Sequence, residues 1–246
     1  MSSHTVFEIL VALHILTGAV GLVVFWVPVA GRKGGRSHAR FGRLFTYTML
    51  ATGTFAIGIA LTTLYDPTGT HPHLASHPDF SDPLLISGIF GWMMLYLAVL
   101  TVNLAWHGWL CINNRRDHRR NRAWHNLLLQ VLLTVAAANC LYQGILIGQP
   151  MMMGISMVGF ATVGTNLWFL YLPREVRPVD RIREHIKSLV GAGISVYTAF
   201  FAFGAVRLIP ELALTPALWS VPLVVGLTLI IYHRRAIARR MAPARA

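Results

Sequence analysis

Seven apolar segments, each close to the length of a membrane-spanning helix, alternate with loops of contrasting charge. A hydrocarbon core about 30 Å thick requires roughly 20 apolar residues at a rise of about 1.5 Å per residue. The segments cover residues 6–30, 44–64, 84–106, 127–147, 151–172, 189–208 and 217–232. With 55% hydrophobic and 12% charged residues, the chain is too apolar for a soluble domain of its length. The sequence therefore predicts an all-α polytopic membrane protein, a seven-transmembrane-helix bundle formed by a single integral domain, 1–246.

The basic residues lie almost entirely on one side of this bundle. Of the 21 Lys and Arg residues, five fall in each of the loops after segments 1, 3 and 5, and five in the C-terminal tail, 233–246. Only Arg207 lies elsewhere. By the positive-inside rule these loops and the basic tail are cytoplasmic and the N-terminus is outside. The net charge of +12 is therefore mainly topogenic, and we expect these residues to contact anionic lipid headgroups rather than nucleic acid.

One extracytoplasmic loop, 65–83, is longer than the others and rich in His, Pro and Asp. Its sequence places His71, His73 and His77 close to Asp79 and Asp82. Nitrogen and oxygen ligands at such spacing can take zinc or copper, although the spacing is not a specific signature. A solvated, turn-rich loop is the favoured interpretation.

Polar side chains deep in the apolar segments are mostly uncharged. Only Glu8, Arg207 and Glu211 approach the hydrocarbon, near its outer edge, and this scarcity disfavours a proton or sodium pump. The neutral polar residues at depth are interpreted as hydrogen bonds between helices. They are Asn103, Gln130, Asn139, Gln143 and Asn166.

The histidines inside the predicted helices are the remaining candidates for chemistry. His14 lies in the first helix, with Gly18 and Gly21 on about the same face, where packing is favoured over ligation of haem or a metal. A second group lies near the cytoplasmic ends of predicted helices 2, 3, 4 and 6: His38, His107, His125 and His185. Imidazoles from separate helices can enclose a metal ion, and the alternative is that they simply lie at the interface.

Three stretches resemble an uncharacterised family of predicted multi-pass bacterial membrane proteins, whose domain has no assigned function. They are LHILTGAVGL with His14, GRKGGRSHARFGRLFTYTML with His38, and EHIKSLVGAGISVYTAFFAFGAV with His185. The resemblance implies a multi-helix bundle in the bacterial cytoplasmic (inner) membrane. It also singles out these three histidines, because each lies within one of the shared motifs.

These observations lead to three hypotheses about function. The first is a membrane redox or metal-binding protein in which His14, His38 and His185, with help from other cytoplasmic-side histidines, hold haem or a transition metal. The second is a non-catalytic subunit or assembly factor of a larger membrane complex, which would bind other membrane protein subunits. The third is a channel or transporter for a neutral solute or lipid, which would use the buried amides and the Gly-rich stretch around Gly191 and Gly193. No Walker A loop, G-x-S-x-G, H-E-x-x-H or C-x-x-C-H motif indicates a reaction.

Overall fold

A computed structural model describes residues 2–74, 82–204 and 216–240 and shows an all-α chain. Its long helices are α1 (Ser3–Ala30), α2 (Arg36–Tyr65), α3 (Pro83–Asn113), α4 (Trp124–Leu146), α5 (Pro150–Leu170), α6 (Pro178–Ala199) and α7 (Pro216–Arg240). Within α3 the stretch Ser87–Met93 is π-helical, and α6 continues into a π-helical turn at Phe200–Gly204. Short helical turns at Pro67–Thr70, Pro72–Leu74 and His118–Arg122 lie between the long helices.

Six of these helices, all except α6, are long and apolar enough to cross a membrane. The prediction of a helical, multi-pass membrane protein is confirmed, with six candidate spans among the described residues rather than seven. Helix α6 differs because its first half carries five charged side chains, and its apolar half leads toward residues 205–215, outside the described part of the chain. Most of the sixth predicted span, 189–208, therefore lies within α6 and the π-helical turn that follows it.

Several helices extend well beyond their predicted apolar segments. Helix α2 begins at Arg36 and α3 runs on to Asn113, so basic and polar residues continue the helical backbone past the predicted segments. Arg is a good helix former, and its long stem allows the charge to reach water while the helix continues. Hydropathy alone therefore placed these helix ends several residues too close to the membrane centre.

Helix α3 is the centre of the bundle, packing against α2, α4 and α6, while α1 pairs with α2, α4 with α5 and α6 with α7. Small residues allow the close contacts. Gly18 of α1 faces Thr52 of α2, and a side chain at Gly53 would collide with Val102 of α3. Such residues are typical of interfaces between membrane helices, because lipid provides no hydrophobic drive for association. The buried core around α3 includes Tyr96.

Candidate functional site

A cluster of buried polar side chains lies between α3, α4, α5 and α6, and we call it the polar centre. Its members are Asn103, His107, Asn126, Gln130, Asn166, Glu184 and Lys187. The spacing along each helix explains the convergence. Residues three or four apart lie on one helix face, and α3, α4 and α6 each contribute such a pair.

Glu184 is the charged member on which the others converge. Its Oε1 atom lies 3.1 Å from Nε2 of His107 and 2.5 Å from Nζ of Lys187. The three side chains are shielded from solvent, with exposed fractions of 0% for His107, 12% for Glu184 and 18% for Lys187. A buried ion pair is tolerated only when further hydrogen bonds satisfy its remaining donors and acceptors. The surrounding residues provide them.

Lys187 connects this ion pair to the buried amides. Its ammonium also donates to Oγ1 of Thr165 and to Oδ1 of Asn166, both at 2.9 Å, so all three of its protons are used. The amide of Asn166 then donates to Oδ1 of Asn103 at 3.0 Å and to Oε1 of Gln130 at 3.1 Å. These three amides form the predicted hydrogen bonds between helices, and they also position Lys187.

On its other side His107 faces Asn126, whose Nδ2 lies 3.4 Å from the Nδ1 of His107. The same Nδ2 donates to the main-chain oxygen of Asn121 at 2.7 Å. Asn121 belongs to the turn His118–Arg122 between α3 and α4, so the polar centre is connected to that loop. The Oδ1 atom of Asn126 is buried and has no hydrogen-bond partner among the residues that the structure describes.

Several loop arginines that were interpreted as topogenic also hold the loops together. Arg122 donates from Nε to the main-chain oxygen of Leu170 at 2.7 Å, and Nε2 of His118 bonds the same oxygen at 3.2 Å. Both therefore cap the C-terminus of α5. Burial, partly offset by this bond, holds the pKa of His118 below its usual value, so the ring is neutral near pH 7.

The N-terminus of α6 is held by a second set of arginines around Asp180. Arg174 donates from Nη1 to Oδ2 of Asp180 at 2.6 Å, and the main-chain N–H of Arg177 donates to the same oxygen at 3.1 Å. The hydrogen bond from Arg174, together with those from Arg177, keeps the pKa of Asp180 well below its usual range. A carboxylate in the first turn also interacts favourably with the helix dipole.

The three histidines of the family motifs share one arrangement: Nδ1 of each ring bonds a main-chain carbonyl. The accepting oxygens are those of Thr52 for His14 (3.0 Å), Pro28 for His38 (3.2 Å) and Gly108 for His185 (2.9 Å). A carbonyl only accepts, so Nδ1 carries the proton, and in the neutral ring Nε2 retains its lone pair. Metal-ligating histidines often use such a carbonyl partner, but the same bonds also stabilise helix packing and helix ends.

The predicted ligands are only partly brought together. The rings of His38 and His185 are near enough to interact electrostatically. His38 is hydrogen-bonded to Pro28, which lies on α1 together with His14. At a rise of about 1.5 Å per residue, His14 and Pro28 are roughly 21 Å apart along this helix. A single ion therefore cannot bind His14 together with His38.

The two remaining candidates have other surroundings. Both ring nitrogens of His107 contact protein groups, while His125 packs against Trp106 and Trp124 with ring centroids 5.5 and 5.9 Å away. Within residues 2–74, 82–204 and 216–240, no group of three or more His, Cys, Asp or Glu is arranged to hold a metal ion. Ligation of haem or a transition metal stays a prediction.

In the loop between α2 and α3, His71 is packed against protein. Its ring lies between those of Phe7 and Phe90, at centroid distances of 5.0 and 4.8 Å, and its Nδ1 lies 3.0 Å from Oγ1 of Thr70. Burial and the neighbouring His73 lower the pKa of His71 to about 4, so it is neutral at physiological pH. His77 and Asp79 of the same loop lie outside the described residues.

Asn126, Glu184 and Lys187 are the members of the polar centre that hydropathy failed to predict. All three were assigned to basic cytoplasmic loops, whereas the structure includes Asn126 in α4, and Glu184 and Lys187 in α6 with their side chains turned into the bundle. A signal for this helix was present in the sequence, because Pro178 followed by Asp180 is a common start of an α-helix. The direction in which Glu184 points became known only from the packing of α6 on α3.

No protein-family model, curated protein or solved structure matches the chain. The class that the fold defines is a helical multi-pass membrane protein. The resemblance to an uncharacterised bacterial family stays a prediction.

Proposed function

We propose that the protein is a membrane transporter that exchanges protons with the cytoplasm at the polar centre and couples this exchange to the movement of a small solute. One observation carries the proposal: the ion pair of Glu184 and Lys187 lies inside the helix bundle against His107. Ionisable residues that face the interior of a membrane bundle are costly, and they commonly mark proton relays and substrate pathways. The sequence argument against a proton-dependent protein had counted both charged residues as loop.

The proposed topology has seven spans, with the predicted segment 189–208 as the sixth and the N-terminus outside. The packing of α6 between α3 and α7 supports this, since both neighbours are candidate spans. The basic loops and tail then face the cytoplasm of a bacterial inner membrane, where their free guanidinium groups bind anionic headgroups. Lys187 lies just before the apolar half of α6, so the polar centre belongs to the cytoplasmic half of the bundle.

Packed side chains close the bundle on the outer side of this centre. Met93, Tyr96, Leu133 and Met152 are almost completely buried there, and the hydroxyl of Tyr96 donates to the main-chain oxygen of Ile155 at 2.6 Å. We infer that this packing closes the solute path toward the outside. A transport cycle would require this packing to open.

The two π-helical segments supply places where the packing can change. Ser87–Met93 belongs to α3 and Phe200–Gly204 follows α6, the two helices that carry His107 and Glu184. Short π-helical segments inside α-helices are frequent at functional sites, and they are among the identifiable causes of helix bending. We infer that α3 and α6 bend at these segments when the outer side opens.

Proton flux into proteoliposomes tests the proposal directly. Purified protein is reconstituted with an entrapped pH-sensitive dye, and a potassium diffusion potential set with valinomycin drives proton entry. We expect flux well above that of empty vesicles, and its loss in Glu184→Gln and in the double variant Glu184→Gln/Lys187→Met. The matched control is Glu8→Gln, because the Glu8 side chain is 65% exposed and lies outside the polar centre.

Two results would overturn the proposal. The first is a wild-type flux no faster than that of empty vesicles. The second is a Glu184→Gln variant that conducts protons as fast as wild type while showing the same thermal unfolding. Either result would return the ion pair to a purely structural role.

A further inference from the structure

The orientation of the Asn126 amide follows from its neighbours. The main-chain oxygen of Asn121 lies 2.7 Å from Nδ2 of Asn126, and a carbonyl oxygen can only accept a hydrogen bond. With the amide reversed, two oxygens would face each other at this distance. The nitrogen of Asn126 therefore points toward Asn121 and, through its second hydrogen, toward His107.

This orientation determines which nitrogen of His107 carries the proton. Nδ1 of His107 lies 3.4 Å from Nδ2 of Asn126, so it faces a donor and must act as an acceptor. The proton of the neutral ring is then on Nε2, which donates to Oε1 of Glu184 at 3.1 Å. The hydrogen-bond partner of one ring nitrogen thus selects the tautomer at the other.

We propose that Asn126 is a positioning residue that holds His107 as a fixed Nε2–H donor, so that His107 orients Glu184 and does not relay protons. The inference rests on the proposed function, because it assigns proton exchange to Glu184 alone. In that step the Glu184 carboxylate gains one proton from water on one side of the membrane, and it later releases that proton to water on the other side. His107 keeps its Nε2 proton throughout.

The surroundings of His107 support this division of roles. A relay would have to add a proton at one ring nitrogen and remove one at the other, and Nδ1 meets only an amide N–H. From α6 the ring faces Glu184, with Lys187 behind it, and from its own helix the nearest titratable group is the buried Cys111. His118 is separated from the ring by Phe169, whose centroid lies 5.9 Å from that of His107 and 4.9 Å from that of His118.

The orientation of the Asn126 amide leaves its buried oxygen without a hydrogen bond to any described residue. Its side chain is 0% exposed, yet within the described part of the chain its Oδ1 atom has no hydrogen-bond partner. Buried polar atoms are nearly always satisfied, so an orphaned oxygen calls for an explanation. The contacts of Nδ2 provide one, because this orientation of the Asn126 amide fixes the tautomer of His107.

Nitrogen NMR of the full chain in lipid, with ¹⁵N-labelled histidine, reads the tautomer directly. In wild type at neutral pH we expect His107 to have a protonated Nε2 and an unprotonated Nδ1. Asn126→Asp, which places an acceptor opposite Nδ1, should move a proton to that nitrogen, whereas Asn126→Leu should give a mixture of tautomers. A wild-type ring with a protonated Nδ1 would overturn the inference, whatever the flux assay shows.

Rescue by a conservative variant tests the role in transport. His107→Ala should lower proton flux at least tenfold, and His107→Gln, which restores an N–H donor without a titrating ring, should recover it to within about threefold of wild type with the same pH profile. The inference is wrong if His107→Gln is folded but as inactive as Glu184→Gln. Absence of wild-type flux would instead count against the proposed function, leaving the tautomer to be decided by NMR.

Discussion

Replacing Lys187 by Met should strongly destabilise the protein, because it leaves a buried carboxylate without its cation. Lys187 contributes hydrogen bonds to Glu184, Asn166 and Thr165, and its side chain is only 18% exposed. Removing one partner of a buried ion pair costs about 3–5 kcal/mol. Glu184 keeps the hydrogen bond from His107, so we expect a loss near the lower end, about 3 kcal/mol.

The double variant Glu184→Gln/Lys187→Met separates the charge effect from lost packing. It removes both charges and keeps a polar group opposite His107, so it should cost only about 1–2 kcal/mol, less than Lys187→Met alone. Unfolding free energies measured in mild detergent for wild type, both single variants and the double variant complete the cycle. Costs that simply add within about 0.5 kcal/mol would refute the idea that the two side chains act as a buried pair.

Two further predictions concern packing and pH. Gly193→Ala should lower the free energy of unfolding by about 1–3 kcal/mol, because the added Cβ would lie 2.4 Å from the buried ring of Phe25. Gly164→Ala, which has open space around it, should change the free energy of unfolding very little. Equal unfolding temperatures for the two variants would contradict this prediction. Asp180→Asn should cost about 1 kcal/mol at pH 7 through loss of the Arg174 bond. Because the pKa of Asp180 is lowered in the folded protein, its carboxylate stabilises the fold above the usual value of 3.8, and this stabilisation is lost as the pH falls further. A stability difference between wild type and Asp180→Asn that is as large at pH 2 as at pH 7 would contradict this prediction.

Part of the structure could be predicted because local chemistry determines it. The sequence predicted a loop between segments 1 and 2, and Gly34 adopts a φ of +76° in the turn there. The same turn caps α1, since Nζ of Lys33 donates to the main-chain oxygens of Pro28 and Val29, and His38 bonds the first of these. These partners are close in sequence, so a short stretch of sequence determines the turn.

The polar centre could be predicted only in part. Three of its four amides were identified because polar residues inside apolar segments need partners, which Asn166 finds in Asn103 and Gln130. Glu184 and Lys187 were missed because hydropathy averages over a window and treats a charged half-helix as loop. His107 was grouped with the other cytoplasmic-side histidines, although its contacts set it apart from them.

The sequence by itself determined that the chain is a helical membrane protein, because the length of an apolar segment and the placement of Arg are properties of the chain and the bilayer alone. The tertiary structure decided which side chains meet. His107 and Glu184 are 77 residues apart in sequence and become hydrogen-bonded only because α6 packs on α3, where Gly108 leaves no Cβ to hold the helices apart. Contacts of this kind depend on helix rotation and depth, which no one-dimensional pattern encodes.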